Sequence, residues 1–209
     1  MKIAVIGTGN VGGTLGSRWA RNGHQVVFVS RSPTSNKVLS LLESAGENAS
    51  VGNVADAVAG VDVVVLAVPW RVAQTTIEAA GDLTGKIVID CTNPIAPGLQ
   101  LALGTTTSGG EQVAEWAKEA RVVKAFNTTG WENMADPVYD GQRTLMPICG
   151  DDMAAKATVG ELTEALGFEV VDLGPLDTAR LLEPFALVWI RLAVAQGLGR
   201  NFAFRLVKR

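Results

Sequence analysis

Near its N-terminus the chain reads KIAVIGTGNVGG, an unbroken apolar run that turns at once into glycines and then into residues of helical spacing. Few patterns restrict a fold so tightly. A short, wholly apolar strand belongs inside a parallel sheet covered on both faces. Gly7, Gly9 and Gly12 fit the G-x-G-x-x-G spacing, in which the three glycines serve, in turn, a tight turn, close approach of backbone to a pyrophosphate, and close packing of helix on strand. The helix that follows offers unpaired N–H groups and a positive dipole end to a phosphate.

The alternation continues along the chain. QVVFV (25–29) is a second strand, 36–45 a helix, 50–52 a short strand and 54–59 a short helix. VDVVVLAV (61–68), stopped by Pro69, is the clearest buried strand, followed by a helix over 71–81 and the strand KIVID (86–90). Residues 95–107 are rich in Gly, Pro and Thr and predict loop; Ser108 and Glu111 then form a capping box for a helix over 109–120. RVVKAF (121–126) is the sixth strand, and 127–141 is too polar and turn-rich for a core element. TLMPICG, a helix over 152–166, FEVVDLG and a helix over 177–197 complete a small α/β unit. The expected class is α/β, a doubly wound Rossmann-type parallel sheet with a small C-terminal extension. Residues 1–130 would be the dinucleotide-binding domain, and 131–209 a smaller unit forming an acceptor cleft and a dimer contact.

Ligands of such sheets lie beyond the C-terminal ends of the strands. The loop after the second strand then decides which dinucleotide binds. A carboxylate there would accept hydrogen bonds from ribose hydroxyls, but this chain has Ser30 and Arg31, which donate hydrogen bonds and, in Arg31, add positive charge. The expected cofactor is NADP, its 2′-phosphate near Ser30 and Arg31, with Thr8 and Lys37 close by.

Composition removes other classes. A formal net charge of −3 gives no reason to expect nucleic acid or an anionic membrane as partner, and 47% hydrophobic residues fill a core. The most apolar segment, 185–199, is interrupted by Arg191 and falls short of the roughly 20 residues of a membrane span. Strand-forming residues begin at Lys2, so no signal peptide is expected and the setting is cytoplasmic. From Pro184 onward there are cations but no Asp or Glu, which suits a solvated C-terminal helix end or, alternatively, an anionic ligand. Cys91 and Cys149 lack metal-ligand spacing and are expected to be buried free thiols. Asp151 and Asp152 resemble a helix N-cap and first turn, so no metal site is expected. His24, the one histidine, falls in a turn. Trp19, Trp116 and Trp189 lie on helix faces suited to a core or interface. The final helix, LLEPFALVWIRLAVAQ, shows more apolar surface than one small domain covers, which predicts a homodimer.

Several elements together resemble the F420-dependent NADP oxidoreductase family, which passes hydride between NADPH and a deazaflavin. They are GTGNVG, the Ser30–Arg31 pair, VPW at Val68–Trp70, PICGDD at Pro147–Asp152 and DLGPLDTARLLEP at Asp172–Pro184. The resemblance implies NADP along Gly7, Thr8, Gly9, Asn10, Val11 and Gly12, with its nicotinamide near Val68, Pro69 and Asn93. A second ring system, F420 or a flavin as co-substrate, would stack over it beside Trp70, Asn127, Thr128 and Trp131. Where the family pattern has an imidazole after the sixth strand, this chain has Asn127, which donates and accepts hydrogen bonds but cannot supply a proton. Catalysis is therefore expected to rest on cofactor positioning, with Asn127 the one weak catalytic candidate. A reductase of a flavin or of a small imine or carbonyl compound, and a non-catalytic NADP sensor, are the alternatives.

Overall fold

The computed structural model describes all 209 residues. Twelve strands form: β1 (Lys2–Ile6), β2 (Gln25–Val29), β3 (Ala49–Gly52), β4 (Val63–Leu66), β5 (Ile87–Asp90), β6 (Ile95–Ala96), β7 (Gln100–Leu101), β8 (Arg121–Lys124), β9 (Val138–Tyr139), β10 (Gln142–Arg143), β11 (Leu145–Gly150) and β12 (Glu169–Asp172). Eight of them make one sheet in the order β12-β11-β8-β5-β4-β1-β2-β3, while β6–β7 and β9–β10 are separate two-residue hairpins. The helices are α1 (Asn10–Arg21), α2 (Asn36–Ala45), α3 (Val54–Ala59), α4 (Ala73–Ala80), α5 (Gly109–Trp116), α6 (Trp131–Ala135), α7 (Met153–Glu164) and α8 (Ala179–Ile190).

The apolar strands divide their side chains between two layers, as a doubly covered sheet requires. Ile3 and Val5 of β1, Val63 and Val65 of β4, and Ile87 and Ile89 of β5 join a core with Leu15 and Trp19 of α1 and Val159 and Leu162 of α7. Ala4 and Ile6, Val64 and Leu66, and Val88 face the other way, against Ala73 and Ile77 of α4, Val113 of α5, and Ala179 and Leu182 of α8. Each fully buried Val, Leu or Ile contributes about 1.5–3 kcal/mol, so the sheet is held from both sides. Trp19 also donates from Nε1 to the carbonyl of Leu162 at 3.1 Å, tying α1 to α7.

Strands β3-β2-β1-β4-β5-β8 are all parallel, and the order reverses between β1 and β4. The expected C-terminal unit extends the same sheet: β11 runs antiparallel to β8, and β12 parallel to β11. A Cβ on Gly150 would stand 2.7 Å from the Val122 carbonyl, so that junction accepts only glycine without a shift.

Four expectations need correction. The segment 127–141 is outside the core only in its second half: Asn127, Thr128, Asn133 and Met134 are buried and Trp131–Ala135 is helical, whereas 138–141 are exposed. Asn133 is admitted because all its polar side-chain atoms find partners. Asn133 donates to Thr129 Oγ1 and to the Phe202 carbonyl, both at 2.7 Å, and accepts from the Tyr139 hydroxyl. The helix expected over 177–197 is divided into a 3-10 turn (Leu176–Thr178), α8, and a π turn (Arg191–Ala195). Consequently the basic tail is no solvated helix end. It leaves the helix at Gly197, φ 69°, and folds back over the body. Phe202 stacks on Trp189 at 5.2 Å, Phe204 lies 4.6 Å from Phe185, and the Phe204 carbonyl accepts from Leu145 N–H. Within 95–107, expected to be loop throughout, β6 and β7 form their small hairpin.

Candidate functional site

Strand order lays the sequence-marked residues out in a row. Moving across the sheet, Ser30 and Arg31 follow β2, Gly7–Gly12 follow β1, Val68 and Pro69 follow β4, Asn93 follows β5, and Asn127 and Thr128 follow β8. Neighbouring strands are about 4.8 Å apart, so the row spans roughly 19 Å along the C-terminal edge.

The glycine loop is built by exclusion. Gly7 has φ 115°, and a Cβ there would run into the carbonyl of Ala67; a Cβ on Gly12 would meet the carbonyl of Gly7. Gly9 differs, since nothing lies within 4 Å of the position its Cβ would take. Gly9 also caps α1 without any side-chain hydrogen bond, leaving the first-turn N–H groups, including those of Asn10, Val11 and Gly12, without an intrahelical acceptor. An open cradle of N–H donors at a helix N-terminus fits a pyrophosphate. Thr8 beside it is half-buried. Ser30 Oγ accepts from Ser32 N–H at 3.2 Å and so shapes the turn after β2. Arg31 and Lys37 are exposed and enter none of the ion pairs.

At the other end of the row the chain is held more tightly. Phe126 adopts φ 62°, a strained conformation for a bulky residue, and its N–H points to Met146 Sδ at 3.2 Å. That bend brings Asn127 against Asn93: Asn93 Nδ2 donates to the Asn127 carbonyl at 2.8 Å, and Asn127 Nδ2 donates to Asn93 Oδ1 at 3.1 Å and to the Leu182 carbonyl at 3.4 Å. Asn127 Oδ1 and Thr92 Oγ1 are buried without a protein partner. Thr128 is buried, its hydroxyl 3.9 Å from Met146 Sδ. Trp70 and Trp131 pack against different layers of the core. Trp70 packs in the α4–α5 layer with its ring 5.2 Å from Trp116, whereas Trp131 packs against the α1–α7 layer.

Under the Asn93–Asn127 pair lies a charged cluster whose members are scattered along the sequence, only Glu183 falling within a marked motif, Asp172–Pro184. Lys124 Nζ, wholly buried, contacts Asp90 Oδ2 at 2.8 Å, the Thr92 carbonyl at 2.7 Å and Glu183 Oε1 at 2.9 Å. Glu183 in turn accepts from the N–H groups of Gly109 and Gly110, at 2.9 and 3.0 Å, at the start of α5. Burial alone would lower the lysine pKa, but Asp90 and Glu183 outweigh it and raise it above the ordinary value. A weaker signal was present: Asp90 and Lys124 are opposite charges closing the strands IVID and RVVK, and they are register partners. Glu183 is a lone acid in an apolar helix. What no local pattern shows is that these three meet.

The remaining titratable residues have structural places. Cys91 and Cys149 are free and buried, and burial first of all raises both thiols, Cys149 to about 12. His24 sits in the turn before β2, its Nδ1 3.3 Å from the N-terminal amine; burial and then that positive charge lower its pKa. Asp152 caps α7 by accepting from Ala155 N–H at 2.7 Å, and Asp151 accepts from Leu176 N–H.

Residues 2–94, from β1 through the loop carrying Asn93, match the family described as NADP oxidoreductase, coenzyme F420-dependent. The F420-dependent NADP reductase of Methanothermobacter thermautotrophicus is 31% identical over 225 residues, covering 99% of this chain and 94% of that protein. The chain belongs to the F420-dependent NADP oxidoreductase family. A solved Arthrobacter sp. FB24 protein, to which F420-dependent NADP reduction is ascribed, superposes with a TM-score of 0.90 at 36% identity over the full length of both chains. Rat metalloreductase STEAP3 is 34% identical over 190 residues; the match takes in 89% of this chain but only 36% of that protein. This member of the F420-dependent NADP oxidoreductase family is thus an NADP-dependent oxidoreductase on a Rossmann-type fold. None of its helices is long and apolar enough to cross a membrane.

Proposed function

We propose that the protein transfers hydride between NADP(H) and deazaflavin F420 bound over the nicotinamide. The observation that carries this is the row of strand ends: Ser30 and the exposed, unpaired Arg31, then the open Gly9 cradle, then Val68–Pro69, then the amide pair Asn93–Asn127, matching the linear order of phosphate, pyrophosphate and nicotinamide. When bound, NADPH supplies the hydride to the acceptor ring, leaving NADP⁺, while the accompanying proton comes from solvent. The protein's part is to hold two rings face to face, the arrangement from which most of the rate derives. Asn127 fixes geometry and supplies no proton. Residues 131–209 would form the acceptor side of the cleft. Arg191, Arg205 and Arg209 are exposed and outside the ion pairs, leaving cations for the phosphate and glutamate groups of F420.

A flavin acceptor is the second reading, favoured by the amide at Asn127 where the family pattern has an imidazole. Mixing the protein with NADPH or NADH, with F420, FMN or no acceptor, and following absorbance tests both. Oxidation of NADPH with F420 is expected; oxidation with FMN alone selects the flavin, and turnover with neither defeats both. For the cofactor end, Arg31→Ala should weaken NADPH by about 1.5–3 kcal/mol, tenfold or more in Kd, and leave NADH unchanged. Equal losses for the two would remove Arg31 from the 2′-phosphate.

Two buried free thiols suit a reducing, cytoplasmic setting. The working form is a homodimer joined through the outer face of the last helix, where Leu181 is 67% exposed, Val188 49% and Val194 60%. A solution mass twice the 21.9 kDa of one chain is expected, reverting to one chain when Leu181 and Val188 are both changed to Glu.

A further inference from the structure

We propose that Glu183, acting through Lys124, is a positioning residue for hydride transfer: the bridge sets the spacing between the nicotinamide-side loop Cys91–Pro94 and the acceptor-side helix α8. This rests on the NADP(H)–acceptor function proposed above. An ammonium has three N–H donors, and Lys124 Nζ spends them on Asp90, on the Thr92 carbonyl and on Glu183. Each contact fixes a different piece of backbone. Asp90 Oδ1 also accepts from Thr92 N–H at 2.9 Å, so Thr92 is gripped at both its N–H and its carbonyl, one residue before Asn93. Glu183 anchors α8 at the residue next to Leu182, whose carbonyl receives the Asn127 amide, and its two oxygens also bind the start of α5. The Asn93–Asn127 pair is therefore suspended between two walls that a single buried ammonium joins.

Stability alone gives little reason for such a cluster. Buried ion pairs gain little over well-packed apolar residues of the same volume, because desolvation offsets the attraction. The cluster's charges are 0–1% exposed, and they lie at the C-terminal strand ends beside the proposed cleft. What the lysine provides that an apolar side chain would not is direction: three bonds that fix the loop, β5 and α8 at set distances. Hydride transfer is sensitive to such distances, since a misplacement near 1 Å costs about a hundredfold.

The test is single-turnover oxidation of bound NADPH by F420, or by FMN if that is the working acceptor, in wild type, Glu183→Gln and Gly109→Ala. Gln keeps the size of Glu183 and removes its charge; a Cβ at Gly109 would stand 2.9 Å from Glu183 Oε1, 3.2 Å from the Trp70 ring and 3.3 Å from Pro94, and so would push on the same carboxylate and on the loop it helps to hold. Asp152→Ala, which loosens a distant helix cap, is the stability control. Expected in both cleft variants are an NADPH Kd near that of wild type, a transfer step slowed about tenfold or more, and a larger isotope effect with 4-deuterated NADPH as chemistry becomes limiting. Transfer at the wild-type rate in Glu183→Gln overturns the proposal, as does slowing no greater than that of an equally destabilised Asp152→Ala. If Glu183→Gln does not fold, Gly109→Ala decides by the same criteria. Wild type that fails to bind NADPH would instead defeat the function on which the proposal rests.

Discussion

Gly7 and Gly9 stand two residues apart in one loop, yet alanine should affect them in opposite ways. At Gly7 the backbone is left-handed and a Cβ would enter the Ala67 carbonyl, so the cost falls on folding. At Gly9 φ is −75° and the space is open, so Gly9→Ala should fold with a Tm close to wild type. Its methyl would nonetheless fill the place a pyrophosphate approaches. NADPH affinity should fall about tenfold or more, some 1.4 kcal/mol, as read by titration beside a thermal melt. Unchanged affinity would move the phosphate away from this loop. Both glycines were legible because their spacing is local. Asn127 was legible only by position: that its amide is locked against Asn93 depends on the left-handed Phe126, which nothing in the string KAFNTT announces.

Among the elements, those closed by their own neighbours were readable. Ser108 Oγ accepts from Glu111 N–H and donates to the Glu111 carboxylate at 2.7 Å, as the S-x-x-E spacing predicts. Asp152 caps α7 in the same local way, and Asp152→Ala should cost about 1 kcal/mol. That corresponds to a drop in Tm of about 2–4 °C for a chain of this size, without change in NADPH affinity. A larger loss, or altered NADPH binding, would mean Asp152 does more than cap. Helix α8 was harder to read. Its apolar periodicity suggests one long helix, but Pro184 removes an internal N–H donor and Arg191–Ala195 widens into a π turn before Gly197 ends it. The backbone there follows what it packs against, Trp189 on Phe202 and Phe185 on Phe204, more than its own pattern.

For the whole molecule, the charged cluster joining β5, β8, α5 and α8 predicts a pH response. Because the folded state raises the Lys124 pKa, it holds that proton more tightly than the unfolded chain. The stabilisation is complete below the ordinary lysine value of about 10.4 and is lost as pH rises through the higher folded-state value. Losing the charge leaves two buried carboxylates uncompensated. Urea midpoints should fall for this reason only above about pH 10.4; the same fall between neutral pH and 10.4 would mean Lys124 is not held charged. By itself the sequence determined the doubly wound sheet, the tight glycine turn before α1 and the helix caps at Ser108 and Asp152. Each rests on residues a few positions apart, where backbone geometry alone decides which groups meet. Only the tertiary structure decided that Lys124 meets Glu183, that the polar residues Asn127, Thr128 and Asn133 are buried, and that the basic tail folds back onto Trp189 and Phe185. Those contacts join chain segments brought together by packing, and a buried polar group is tolerated only where the folded structure brings it a partner.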